Sequence, residues 1–139
     1  MIPELEEFAK KLVEKVRDAA IRSNDRTLSA NHVIAKRWKE AAASGSPEAF
    51  ARVLIPDIVD STISHVLNAI DQELLRLSFT ASSGKSLDLT TVAQESGELS
   101  GWYKGRGGWC EKYSKERLTN DFADLKDFFK KPRNDSRGD

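Results

Sequence analysis

The stretch PEAFARVLIPDIVDSTISHVLNAIDQELLRLSFTASSGKSLDLT, residues 47–90, decides how the chain folds. Its first half carries an apolar row, Val53, Leu54, Ile58, Val59, Ile63, Val66, Leu67, Ile70 and Leu74, whose steps of three and four place one wide stripe along a helix. This predicts the central helix of the fold, with the stripe turned to the core. Pro56 falls inside the row, where an interior proline costs about 3 kcal/mol and moves Ile55 out of the α region, so the helix is expected to kink or restart there. In the second half the period changes from helical to alternating. Leu75, Leu77 and Phe79 alternate with Arg76, Ser78 and Thr80, and Leu87 and Leu89 repeat the pattern after Ser82-Ser83-Gly84, which predicts a β-hairpin. A lone hairpin is marginal in water, so its apolar side, Leu77, Phe79, Leu87 and Leu89, is expected to lie on helices or on a further strand.

Working outward, Ser46 caps and Pro47 opens the central helix. Upstream, Pro3 starts a first helix with Glu4, Glu6 and Glu7 near its positive end and Leu5, Phe8, Leu12, Val16 and Ala19 on one apolar face. Ser23-Asn24-Asp25 is expected to break it. A second helix then starts near Ser29, turns Val33, Ile34, Trp38, Ala41 and Ala42 inward, and closes at Gly45. Downstream, Thr90 or Thr91 caps a weak helix holding Val92, Leu99, Trp102 and Tyr103, interrupted by Gly97 and Gly101. Residues Gly105 to Gly108 form a loop, and Ser114 caps a last helix with Leu118, Phe122, Leu125 and Phe129 inward, ended by Pro132. The fold class is therefore α+β, mainly α: about five helices around a long central helix kinked at Pro56, with one β-hairpin. A single globular domain is expected over residues 1–131, followed by a polar tail over 132–139.

With 139 residues the chain can bury a single core without cross-links. Hydrophobic residues make up 39% and charged residues 32%, and 22 basic residues balance 22 acidic ones, so no bulk field attracts nucleic acid or an anionic membrane. Cys110 is the only cysteine, which excludes an internal disulfide and fits a reducing compartment, so the cytoplasm is the expected location. The acidic, amphipathic start has neither the basic nor the apolar region of a secretory leader, and no membrane partner is expected.

Three places carry chemistry worth weighing. The face of the central helix away from its apolar row bears Asp57, Asp60, Ser61, Ser64, His65, Asn68, Asp71 and Gln72, a polar surface suited to a partner. Asp57, Ser61 and His65 have the side-chain types of a hydrolase triad, but on one helix the acid lies nearer the serine than the histidine, the wrong order for activating a nucleophile. Neither metal-binding helix spacing occurs, with His32 the only other imidazole, so no metal and no cofactor is expected. The segment GWYKGRGGWCEKY, residues 101–113, combines Trp102, Tyr103, Trp109 and Tyr113 with Lys104, Arg106 and Lys112. Such aromatic and basic residues suit single-stranded nucleic acid, a protein hot spot, or the anchoring of an irregular loop to the core. Gly-Arg-Gly-Gly and Ser83-Gly84-Lys85-Ser86 lack the strand and spacing of a phosphate-binding loop, and Cys110 has no histidine or second cysteine beside it in sequence.

These observations favour a non-enzymatic protein-interaction module, analogous in size and composition to bacterial toxin-neutralising immunity proteins. The expected contact residues are Asp57, Asp60, Ser64, His65, Asn68, Asp71, Trp102, Tyr103, Arg106 and Trp109, with self-association through the open hairpin edge as a further route. The alternatives are a single-stranded nucleic-acid-binding module using residues 101–113, and an enzyme whose site is assembled from distant residues.

Overall fold

A computed structural model describes residues 2–117. In chain order it contains α1 (Pro3–Lys11), a π-helical segment (Leu12–Arg17), α2 (Asp18–Ser29), α3 (Val33–Ala43), α4 (Pro47–Asp71), β1 (Ser78–Thr80), β2 (Ser86–Asp88), α5 (Leu89–Ser96), α6 (Leu99–Lys104) and α7 (Trp109–Tyr113). The architecture is mainly helical with one two-stranded antiparallel hairpin, as the periodicities predict. The expected last helix and polar tail lie outside the described residues.

Residues 3–29 run as one continuous helix rather than ending at Ser23-Asn24-Asp25. The helix survives these weak formers because their side chains bond within it: Asn24 Nδ2 donates to the Ala20 carbonyl at 2.8 Å, and Thr27 Oγ1 to that of Ser23 at 3.1 Å. It stops at Ala30, and His32 takes the capping position, its Nδ1 accepting from the Ala35 amide at 3.2 Å. α3 then closes into Gly45, whose φ of 91° only glycine adopts without strain.

Ser46 and Pro47 open α4 as expected, with Ser46 Oγ accepting from the Ala49 amide at 3.3 Å. The helix does not restart at Pro56 but continues to Asp71 as one element. It is the hub of the fold, packing against the π segment, α2, α3, α5 and α6. By length and composition alone it could also cross a membrane, with a mean hydropathy of 1.2 over its most apolar window. Central helices of globular domains share that property.

The orientation of α4 corrects the sequence reading. Its aspartates point inward, and Ile55, Ile58, Val59 and Ile63 from its apolar side are exposed. Asp57 is buried, its side chain only 4% accessible, and Arg37 Nη2 of α3 donates to both its oxygens at 2.9 and 3.0 Å. Trp38 Nε1 adds a third bond at 2.8 Å. On the neighbouring flank Asn24 Nδ2 reaches Ser61 Oγ at 3.4 Å, tying α2 to the same helix. The polar side thus connects α4 to α2 and α3, while a small apolar cluster of Val16, Ala69 and Leu75, with Val66 and Leu77 against it, closes the far end.

In the hairpin Phe79 stands opposite Leu87, flanked by the pairs Ser78–Asp88 and Thr80–Ser86. Leu77 and Leu89 are half-buried, but Phe79 and Leu87 stay exposed, because the strands are three residues each and project past α5. The cap of α5 is Asp88, whose Oδ1 accepts from the Thr90 and Thr91 amides at 3.0 and 3.4 Å, and not either threonine. The weak helix expected beyond it is split into α5 and α6 at Gly97, which has a φ of 96°.

Replacing Asp57 by alanine removes the acceptor of two Arg37 bonds and of the Trp38 indole bond inside the fold. Asp57→Ala is expected to lower the unfolding free energy by about 3 kcal/mol, whereas Asn68→Ala, on the exposed side, should stay within about 0.5 kcal/mol. Urea unfolding with an unchanged slope measures both.

Candidate functional site

The segment that the sequence marked by its tryptophans folds against the first half of α4. Asp71, at the end of α4, holds the start of α6: its Oδ1 accepts from the Leu99 amide at 2.9 Å, and its Oδ2 from the Ser100 amide and hydroxyl at 3.2 and 3.0 Å. One carboxylate thereby caps a helix that begins 28 residues later in the chain. One α6 turn further on, Asp60 accepts from the Tyr103 hydroxyl and from Lys104 Nζ, both at 2.8 Å. α6 is therefore fixed along α4 by two carboxylates from the helix face that was expected to meet a partner.

Beyond α6 the chain reverses through Gly105 to Gly108. A Cβ on Gly108 would collide with the carbonyl oxygens of Trp102 and Gly105, and one on Gly105 with that of Gly101, so glycine is required at both positions. This tight turn brings the Trp102 and Trp109 rings together edge to face, with centroids 6.2 Å apart. Both indoles remain about 40% exposed, so they brace each other rather than anchoring the loop in the core.

Between α4 and the α6–α7 turn lies an apolar groove of about 550 Å³. Ile55, Pro56 and Val59 form one wall, and Trp109 and Tyr113 the other. Pro56 has no N–H to offer the Arg52 carbonyl four residues earlier, and Arg117 Nε donates to that oxygen at 3.4 Å from the groove rim. At one end of the groove Tyr103 and Cys110 sit beside Asp60. Burial first, then the adjacent Cys110 thiol and the Asp60 carboxylate, push the Tyr103 phenol well above its ordinary pKa. Tyr103 is thus a neutral donor to Asp60 throughout the physiological range.

Of the residues singled out in the sequence, the structure brings Asp60, Tyr103 and Trp109 to this groove. Asp57 and Asp71 are correctly on the polar face but turned into the fold, where they bind α3 and α6. His65 lies half-buried with a ring nitrogen 2.6 Å from the Ser61 backbone carbonyl, and with Asp57 engaged by Arg37 and Trp38 the three residues do not form a relay. Ser64 is half-buried, and Asn68 and Arg106 are exposed. Lys104, counted among the charges available to nucleic acid, is neutralised by Asp60. Sequence reasoning placed Tyr113 in the aromatic segment but missed Ile55 and Pro56 as site residues, although an apolar row interrupted by proline was a usable signal: it marks a freed carbonyl and a helix face that packs less closely.

Tyr103 gives the site a pH signature. Above about pH 10 the unfolded chain releases this proton while the folded chain keeps it, so stability should fall as pH rises; below that both states hold it and the dependence vanishes. Tyr103→Phe is expected to flatten the alkaline limb of a plot of urea midpoint against pH. Compared with known proteins, the chain matches no family model, and no curated protein and no solved structure matches it.

Proposed function

We propose that the chain is a non-enzymatic protein-interaction module that receives an apolar or aromatic segment of another protein in the groove between α4 and the α6–α7 turn. The supporting observation is the inversion of α4: Ile55 and Val59, each 51% exposed, stand outside while the aspartates of the same helix are engaged within. Exposed aliphatic residues beside Trp109 and Tyr113 supply the large, rigid contact surfaces at which binding energy concentrates in protein interfaces. Tyr103 beside Asp60, and Arg117 beside the Arg52 carbonyl eight residues earlier on α4, provide polar contacts that orient a helix or extended peptide laid along the groove.

The partner chemistry differs from that suggested by a toxin-neutralising analogy. A protein that masks a basic nuclease needs free carboxylates, and here Asp57, Asp60 and Asp71 are held by Arg37, Tyr103, Lys104 and the start of α6. The module belongs in a reducing compartment such as the cytoplasm, where Cys110, beside Tyr103 in the groove, stays a thiol.

The test is capture from a lysate of the source cells, comparing the wild type with Val59→Asp and Asn68→Ala after circular dichroism has shown all three folded. The reading expects one protein captured by the wild type and Asn68→Ala and reduced at least about tenfold with Val59→Asp, the loss that a buried unpaired charge imposes. Equal capture by Val59→Asp, or capture of no protein, overturns it.

A further inference from the structure

A second surface lies at the other end of the molecule. α1 carries no buried residue, and its main packing neighbour is the π segment that continues it. The expected core face is nevertheless there in sequence, with Leu5, Phe8 and Leu12 left 55%, 37% and 38% exposed. The π segment explains the misalignment. The Asp18 amide bonds back to the Val13 carbonyl, five residues earlier, so the turn holds an extra residue and the α1 stripe is rotated off the face that buries Val16 and Ala20. The nine residues of α1 thus form the free end of a longer helix and hold three large apolar side chains in water.

The charges beside this seam define the partner. At about 100° per residue, Glu4 and Lys11 fall on the same flank of the Leu5–Phe8–Leu12 stripe, one heptad apart. The geometry points to a second copy of this chain, docked antiparallel on α1 about a two-fold axis near Phe8. Leu5 then packs against Leu12 of the second copy, the two Phe8 rings meet at the axis, and Glu4 faces Lys11 of the second copy twice over. A parallel pair would place Glu4 and Lys11 of the two copies on opposite flanks of the seam, where they do not meet. Within each copy Lys11 already contacts Glu7 at 2.7 Å, and an ammonium group with three donors can serve both carboxylates. The hairpin edge, expected from the sequence to mediate self-association, is a weaker template, since each strand has three residues.

Sedimentation equilibrium of the full chain tests this, with circular dichroism checking that each variant is folded. The wild type is expected to dimerise with concentration, and Phe8→Asp to be monomeric. Glu4→Lys and Lys11→Glu singly replace two attractive contacts with two repulsive ones and should each weaken association about tenfold. The combined swap restores opposite charges across the seam and is expected to return to within about threefold of the wild type, and a mixture of the two single variants to associate more tightly than either alone. Val59→Asp, at the groove, should dimerise normally, which separates this surface from the one proposed for other proteins. A wild type that stays monomeric to roughly millimolar concentration, a dimer indifferent to Phe8→Asp, a combined swap that regains nothing, or a dimer lost in Val59→Asp would each overturn the proposal.

Discussion

The Asp57 carboxylate is the constraint from which the arrangement of the helices follows. It is buried, and it is tolerated there because Arg37 embraces both its oxygens and Trp38 supplies a third donor. A carboxylate placed in such surroundings demands partners of fixed geometry, whereas apolar contacts accept many. With α3 located by that demand, the rotation of α4 about its own axis is set. Three further polar groups on the same side are then delivered inward: Ser61 to Asn24, Asp60 to Tyr103 and Lys104, Asp71 to the start of α6. Specificity of packing in this small domain comes from hydrogen bonds between helices, with an apolar cluster confined to the region of Val16, Ala69 and Leu75.

Local signals in the sequence were informative where local physics decides. The helix starts at Pro3 and Pro47 and the closure at Gly45 each depend on residues within four positions of one another, and the hairpin on strands joined by one short turn. The direction of α4 depends on bonds from residues 19 and 20 positions upstream and 43 and 44 downstream, and no periodicity encodes those. A rule that places charge outside and aliphatic residues inside therefore failed over the middle of the helix, where Asp57 is buried and Ile55, Ile58, Val59 and Ile63 are exposed, and held near its end, where Ile70 is buried and Asn68 exposed. The same limitation applied at Asn24, where a helix-breaking residue became a bridge to Ser61 once a neighbouring helix was present. At the groove the aromatic and glycine composition located the segment correctly, but its opposite wall comes from α4 and was invisible until the orientation of that helix was known.

The inversion also links folding to binding. Satisfying the aspartates within the fold uses the side of α4 that would ordinarily face water, leaving Ile55, Ile58, Val59 and Ile63 as surface. An exposed Ile55 and Val59 are unfavourable in a solitary domain and useful in one that meets another protein, because desolvating them stabilises the complex without breaking any hydrogen bond. The departure from what sequence patterns favour has an identifiable cause in the internal bonding of one helix.

Pro56 has a consequence for motion as well as for shape. Because its nitrogen carries no hydrogen, the ladder of α4 lacks a rung to Arg52, and Arg117 contacts that carbonyl from an exposed side chain. α4 is thus one continuous helix but two units in cooperativity. The turns before Pro56 can open while the part anchored by Asp57, Asp60 and Asp71 stays intact, so their amides should exchange with solvent at a lower opening energy than those of the second unit. Ile55 belongs to the part that opens and Val59 to the part that holds, which puts the wall of the groove across the seam between a yielding element and a rigid one.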